Sequence, residues 1–433
     1  MNLILMLIPL IVILYLLIRK QHMLVAGIVG GIVAVAVSWI LVATGKLETG
    51  LQPSDFENLI VNGGIKDMLS KYLAPVIYAA GAVMIARSGS IKALVEILNR
   101  KLKGKLAWLA AAIVIVQALA TYMAGMGAGN TMVIAPLMFA AVGFIPEVVA
   151  GMAIATAIAF TTSPASTETA LASTAAGMDV GAFANMMLPV TIIVFILAAA
   201  LAFYGVHKRH NVLRTSEKVQ DELTAKTNKE IWLMVVPFVV FLLLVIFGNK
   251  LNGLFTYSVF VPIINVIIAA VLCVIFCKES TEKVSKNLIE GSRFILTTLF
   301  GVGIFLGFIN MIAYLGTFSE LAGLIADAPK WIVAFLACVL AFIIAIPSGA
   351  FCAGVLTLLL PTIALIPGLS PLAFGLIAIS AGLGTQISPV QINIAALSEG
   401  FQVSVFEVIQ GNLKFVLSAA GLVGVFAIIV GLL

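Results

Sequence analysis

Charge is what this sequence has least of. Only 10% of its 433 residues are Asp, Glu, Lys or Arg, against 62% hydrophobic residues, and the mean hydropathy is +1.20. A chain so poor in charge cannot cover itself with the solvated surface of a soluble globular protein. Histidine is scarce too: His22, His207 and His210 all fall at the ends of apolar runs, and no H-E-x-x-H occurs. An intramembrane enzyme would need a base or a metal-ligand set inside its spans, and none is there. No G-x-x-x-x-G-K-[ST] occurs either, which excludes a P-loop pump. Four cysteines, Cys273, Cys277, Cys338 and Cys352, lie in apolar segments with no histidine nearby, so they read as buried small hydrophobes.

What is present is hydrophobic sequence in runs of about 20 residues, long enough to cross a bilayer core of roughly 30 Å. These runs recur from end to end, which predicts an all-α polytopic membrane protein. Its first run, Leu3 to Ile18, has no basic residue before it and no small-residue cleavage site after it, so it reads as a retained span. The net charge of +5 sits at span ends, where loop charge sets topology, and gives no support for nucleic-acid binding. Basic clusters at 19–22, 87–105 and 207–210 are placed in the cytoplasm, and the mixed stretch 45–70 outside, so both termini are expected to be extracytoplasmic.

Within this frame, spans are expected near 3–19, 23–44, 72–87, 186–205, 231–247, 255–277 and 293–314. Residues 89–99 carry apolar positions at helical spacing and suit a helix along the cytoplasmic interface. The region 106–143 is too long for one span, and its centre, G-M-G-A-G-N, is a poor helix interior. It predicts a re-entrant hairpin with its tip at 125–130. The following span starts near Pro146 and breaks at Ser163-Pro164, where proline removes a helical hydrogen bond.

The pattern then repeats. Pro136 pairs with Pro361, Pro146 with Pro371, and Ser163-Pro164 with Ser388-Pro389, all at one constant interval along the chain. The segment 315–330 answers the basic interfacial helix, but carries Glu320 and Asp327 against Lys330, as expected if it faces the other side. Two inverted repeats are therefore expected, 1–206 and 231–433, joined by a cytoplasmic linker at 207–230; each has about five spans, one hairpin and one Ser-Pro broken helix. In such designs the solute and coupling-ion sites lie where the broken helices meet.

A helix interrupted in mid-membrane exposes unpaired N–H groups and the positive end of a dipole, which favour a small anion. Substrate-binding candidates in the first half are Gly129, Asn130, Thr131, Ser163, Pro164, Ser166 and Thr167, with Thr162 and Thr169 close by. In the second half they are Gly354, Thr357, Ser388, Pro389, Gln391 and Asn393, with Ser348, Thr385 and Gln386 close by. A lone Ser or Thr more often bonds back to its own helix, whereas Asn130, Gln391 and Asn393 are costlier to bury. Glu168 is the one carboxylate expected deep within a span; unpaired there, it would favour its neutral acid and suit proton coupling. The competing reading has it reach the outer vestibule or pair with a neighbour.

Hairpin tips with a small-Asn-Thr motif, each followed by a Ser-Pro broken helix, resemble the ion transporter superfamily of carboxylate carriers. The run G-A-G-N-T-M-V-I-A-P, then T-T-S-P-A-S, then L-P-V-T-I-I-V-F-I-L-A looks most like its anaerobic C4-dicarboxylate (Dcu-type) transporters. The likeness is specific over about 124–200; in the second half Val355-Leu356 stands where the first has Asn130-Thr131. It implies transport of fumarate, succinate, malate or a similar dicarboxylate by exchange or ion coupling, by a homodimer in the bacterial inner membrane. No cofactor is implied beyond Na+ as a coupling ion, for which Asn130, Thr131 and Glu168 are the candidates. Carriers of citrate, gluconate or short monocarboxylates share the pattern. A Na+/H+ antiporter of the same superfamily is the alternative; it would be favoured by several buried carboxylates, of which the sequence suggests one.

Overall fold

The structure is a computed structural model that describes all residues except 1, 20, 67–68, 71–72, 103–104, 210–225, 327, 348, 350–351, 365, 367 and 433. Ser348, Asp327, His210 and most of the expected linker thus lie outside the described residues. The described residues are helical or loop, without a strand, and the protein is an all-α polytopic membrane protein. In chain order the helices are α1 (Asn2–Ile18), α2 (Met23–Ala43), α3 (Pro53–Phe56, running on into a π-helix, Glu57–Lys66), α4 (Leu73–Arg87), α5 (Ser90–Lys101), α6 (Leu106–Ala124), α7 (Ala128–Val142), α8 (Pro146–Thr162), α9 (Thr167–Ala175) and α10 (Val180–Lys208). The second half holds α11 (Asn228–Asn252), α12 (Pro262–Phe276), α13 (Thr281–Tyr314), α14 (Thr317–Ala326), α15 (Lys330–Ala345), α16 (Cys352–Ile363), α17 (Pro371–Thr385), α18 (Ile392–Gly400) and α19 (Val405–Leu432). Among the described residues five helices are long and apolar enough to cross a membrane alone, and a sixth span forms if α8 and α9, bent by 52° at their break, count as one.

Local chemistry sets the ends. Pro146, Pro262 and Pro371 open α8, α12 and α17, where a missing N–H costs nothing. The Ser166, Asp179 and Ser280 side chains accept from first-turn amides of α9, α10 and α13. Gly125 closes α6 with φ of 68°, a left-handed conformation that glycine adopts without strain.

Two helices form the centre. From Glu147 to Thr162 every residue of α8 is buried, and so is every residue of α17 from Ala373 to Thr385. Helices apolar all round belong in a core, and these two pack on each other, with Gly382 against Thr161 and the Ala157 carbonyl. The long helices lie outside them. On α10, Phe183, Met187, Thr191, Phe195 and Ala198 face inward while Ile192, Ile193, Ile196 and Leu197 are exposed, the greasy outer face of a lipid-facing helix.

The starts of α8, α9 and α10 at 146, 167 and 180 recur in the second half as the starts of α17, α18 and α19 at 371, 392 and 405, at the interval that separates the paired prolines. Their directions can be followed through contacts. Arg209, just past the end of α10, bonds Glu147 in the first turn of α8, and Gly411 near the start of α19 abuts Pro146. The end of α10 and the start of α19 therefore share one end of α8, and the two helices run in opposite senses. Trp108 at the start of α6 stacks edgewise on Phe203 near the end of α10, as Trp331 at the start of α15 meets Gly431 at the end of α19.

Several boundaries depart from the sequence reading. The span expected at 293–314 is the end of a 34-residue helix: Ser280 caps α13, nothing breaks it, and Lys283–Glu279 and Lys286–Glu290 pairs support its charged first turns. Arg293 thus lies within a helix, exposed. Helix α10 starts at Val180, before the expected 186, and α11 runs on to Asn252. The hairpin tip is shorter than expected, since α7 begins at Ala128 and makes Gly129, Asn130 and Thr131 first-turn helical residues. Within the stretch 45–70 the π-helix docks backbone to backbone on α13, with Gly64 against Gly303 and Gly307.

Candidate functional site

The two halves exchange their interrupted elements. Helix α7, the returning arm of the first hairpin, packs on α18, the tail of the second broken helix. Conversely α9, the tail of the first broken helix, packs on α16, the returning arm of the second hairpin. Each tip is also wedged against the break of its own half, Gly125 against the Ala165 carbonyl and Gly349 against Ser388. Any side chain at either glycine would collide there.

At the first of these junctions lies a buried chain of hydrogen bonds. Gln117 of α6 donates from Nε2 to the Thr131 hydroxyl and, at 3.3 Å, to that of Thr156 on α8. Thr131 donates to Asn393 Oδ1 at 2.6 Å, and Asn393 Nδ2 donates to Gln386 Oε1 at 2.8 Å. Gln386 Nε2 passes the chain on to Thr385 at 3.0 Å. All six side chains are buried. Donors point one way along this chain, from the first half into the second, and two acceptors stay open at its start. Gln117 Oε1 has no partner, and Asn130, which donates to the Ala120 carbonyl at 2.8 Å, leaves its Oδ1 unpaired. Buried oxygens without donors are uncommon and costly. They are free to accept from a bound solute or ligate a cation.

The second junction is built differently. Glu168, 7% exposed, sits in the first turn of α9 with its carboxylate on the Ala353 backbone amide, at the start of α16, beside Cys352. The vestibule reading of Glu168 is thereby replaced by a buried one. The neighbouring Thr167 hydroxyl is also buried and has no partner.

The other candidates take the following places. Ser163 donates to the Tyr122 carbonyl at 2.5 Å and accepts from Ala165 N–H, stapling the break to α6. Ser166 caps α9 through the amide of Thr169 and bonds its hydroxyl. Thr162 donates back to Ile158 O. Gly354 packs on Leu306 of α13, away from the Asn393 chain. Pro164 and Pro389 supply the breaks; Ser388 accepts from Val390 N–H, Gln391 stands at the N-cap of α18, and Thr357 is half-buried on α16.

Gln117 was missed by the sequence reading, although it is the one amide in the apolar run L-A-W-L-A-A-A-I-V-I-V-Q-A-L-A. Two further buried carboxylates were missed as well: Glu147 pairs with Arg209 at 2.5 Å and Glu96 with Arg100 at 2.8 Å. The four cysteines are free and buried, as small hydrophobes are. Among the described residues no group of three metal-ligating side chains occurs.

No family model matches the chain, and no curated protein matches its sequence. Its fold does match a solved structure, that of Neisseria gonorrhoeae MtrF, described as illuminating a class of antimetabolite efflux pumps. The two align over 95% of this chain and 94% of that one, with a TM-score of 0.54 and 13% sequence identity. The fold is thus one that a membrane transporter uses.

Proposed function

We propose that the protein is a secondary carrier of small organic anions, with C4-dicarboxylates such as fumarate, succinate and malate as its substrates. It works by alternating access between two inverted repeats, in the bacterial inner membrane. The observation that carries this reading is the Thr131–Asn393 bond, which joins a hairpin arm of one half to a broken-helix tail of the other amid buried, unsatisfied amide oxygens. Inversion is supported by the opposed courses of α10 and α19 and by the recurrence of helix starts at a constant interval. A transport role fits the likeness to MtrF, and the direction of net flux follows the gradients applied.

Among the described residues no lysine or arginine is buried. The anion is therefore held by first-turn amides of α9 and α18 and by hydroxyl and amide side chains, with the substrate class resting on the motif resemblance. Asn130 and Gln117 offer oxygens, not charges, so they suit a substrate hydroxyl or a monovalent cation such as Na+ accompanying the anion. As in other carriers of the resembled family, a homodimer is expected.

The test is uptake of labelled succinate into proteoliposomes preloaded with fumarate, under imposed sodium or proton gradients. Saturable uptake that is lost in Asn393→Ala supports the carrier. Sodium-driven proton flux with no movement of any carboxylate would make the protein an antiporter instead.

A further inference from the structure

Glu168 and Asn393 are the same position in the two halves. The interval between them is the one that relates the paired prolines, each is the second residue of the helix that follows a break, and they are 7% and 3% exposed. Each faces the returning arm of the other half's hairpin, Asn393 on α7 and Glu168 on α16. Their chemistry differs. Asn393 meets Thr131, next to Asn130. At the matching places on α16 stand Val355 and Leu356, both fully buried, and Glu168 receives only backbone amides, its own and that of Ala353.

Charge decides what such a site can hold. Two backbone N–H groups carry no full positive charge, and a carboxylate without a counter-charge is costly in the protein interior. Among the described residues Glu168 has no ion pair. Of the titratable groups on the elements packed against it, only Cys352 on α16 interacts with it, and α17 carries none. Glu147 lies at the far end of α8, Tyr204, His207 and Lys208 at the far end of α10, and Asp179 is an exposed cap. A metal cation would need several oxygen ligands, and Val355 and Leu356 supply none where Asn130 and Thr131 stand in the other half. A proton needs one oxygen.

We propose that Glu168 is a proton-carrying half-site, the counterpart of the amide half-site at Asn393: on one side an O–H bond of hydronium breaks as the Glu168 O–H bond forms and water leaves, and on the other the Glu168 O–H bond breaks as water takes the proton. Its coupling to anion movement rests on the carrier reading; the protonation itself does not. The deciding experiment is an infrared pH titration of the purified full-length protein, following the carbonyl stretch of a neutral carboxylic acid. A band should be present at neutral pH, disappear reversibly at high pH, shift in Glu168→Asp and vanish in Glu168→Gln. It should be indifferent to replacing potassium by sodium, and pH dependence of transport should be lost in Glu168→Gln. Wild-type and Glu168→Asp spectra that superimpose would overturn the proposal, as would loss of the band on adding sodium at fixed pH. Retained pH-dependent transport in Glu168→Gln would overturn it too. If the wild type moves no carboxylate, the carrier reading fails while the infrared titration still decides this site.

Discussion

The Thr131 hydroxyl and the Asn393 side-chain oxygen meet at 2.6 Å across 262 residues of sequence, joining the two halves at their interrupted helices. Thr131 is also the acceptor for Gln117, so the bond is the middle of a chain whose members polarise one another. Thr131→Val strands the Asn393 oxygen in the core, a cost of about 1–3 kcal/mol, while Gln117 keeps the Thr121 and Thr156 hydroxyls as acceptors. Asn393→Leu removes the other end. If the two act as one link, a double-mutant cycle in thermal or denaturant unfolding returns a coupling of about 0.5–3 kcal/mol, with transport reduced in each single variant. Strict additivity would mean that the halves are held together elsewhere.

Gly125 is where the first hairpin abuts the backbone of the break. It needs φ of 68°, and a Cβ would strike the Ala165 carbonyl in the break of α8. Gly45 has nearly the same φ, 69°, with open space around it. Alanine at Gly45 therefore incurs only the left-handed strain, roughly 1–2 kcal/mol. Alanine at Gly125 incurs that and must also push the hairpin off the break. Gly125→Ala should lower the melting temperature clearly more than Gly45→Ala, and should depress transport. Equal shifts in the two variants would dismiss the wedge.

The two breaks and the helix starts around them were legible because proline and glycine punctuate backbone, and backbone geometry is read locally. Pro146, Ser163-Pro164 and their partners Pro371 and Ser388-Pro389 mark real helix starts and interruptions. Partner choice was not legible. Nothing in the sequence tells that Thr131 faces Asn393 rather than Ser163, because that pairing depends on how α7 lies against α18. Gln117 was hidden for a similar reason: an amide within an apolar helix declares itself costly, but not which hydroxyl it serves. The long α13 was cut short because charged turns read as loop, although Glu and Lys are good helix formers when nothing breaks them.

The Glu147–Arg209 pair is unevenly buried, and this sets the sign of its mutants. The Glu147 side chain is 8% exposed and that of Arg209 41%. Arg209→Met would leave a carboxylate stranded beside Gly205, whereas Glu147→Gln leaves a guanidinium that water can still reach. Loss of one partner from a fully buried pair costs about 3–5 kcal/mol, and the exposure of Arg209 brings this pair below that range. Arg209→Met should destabilise more than Glu147→Gln, and the double variant should recover part of the loss. Thermal unfolding at low and high salt checks the order; the reverse order would place the stabilising contact between Glu147 and a group other than Arg209, such as the Lys414 charge.

The π-helix of the 57–66 segment is held by features that can be removed singly. Asn310 of α13 donates from Nδ2 to the carbonyls of Leu59 at 3.2 Å and Gly63 at 2.9 Å, while Gly307 lets Ile60 approach the α13 backbone. Glycine at 303 and 307 is needed for closeness, and Asn310 supplies direction. Losing both hydrogen bonds at about 1 kcal/mol each costs about 2 kcal/mol, which multiplies local opening roughly 30-fold. Asn310→Leu should therefore speed amide hydrogen exchange across 57–66 by up to about 30-fold while the core helix α8 keeps its protection. Gly307→Val should go further and detach the segment, because the collision involves the Ile60 backbone and not a side chain that could turn away. If exchange in 57–66 stays at wild-type rates in both variants, the docking onto α13 is not what orders the segment, and the flanking packing of Trp39 on Gly50 must do so.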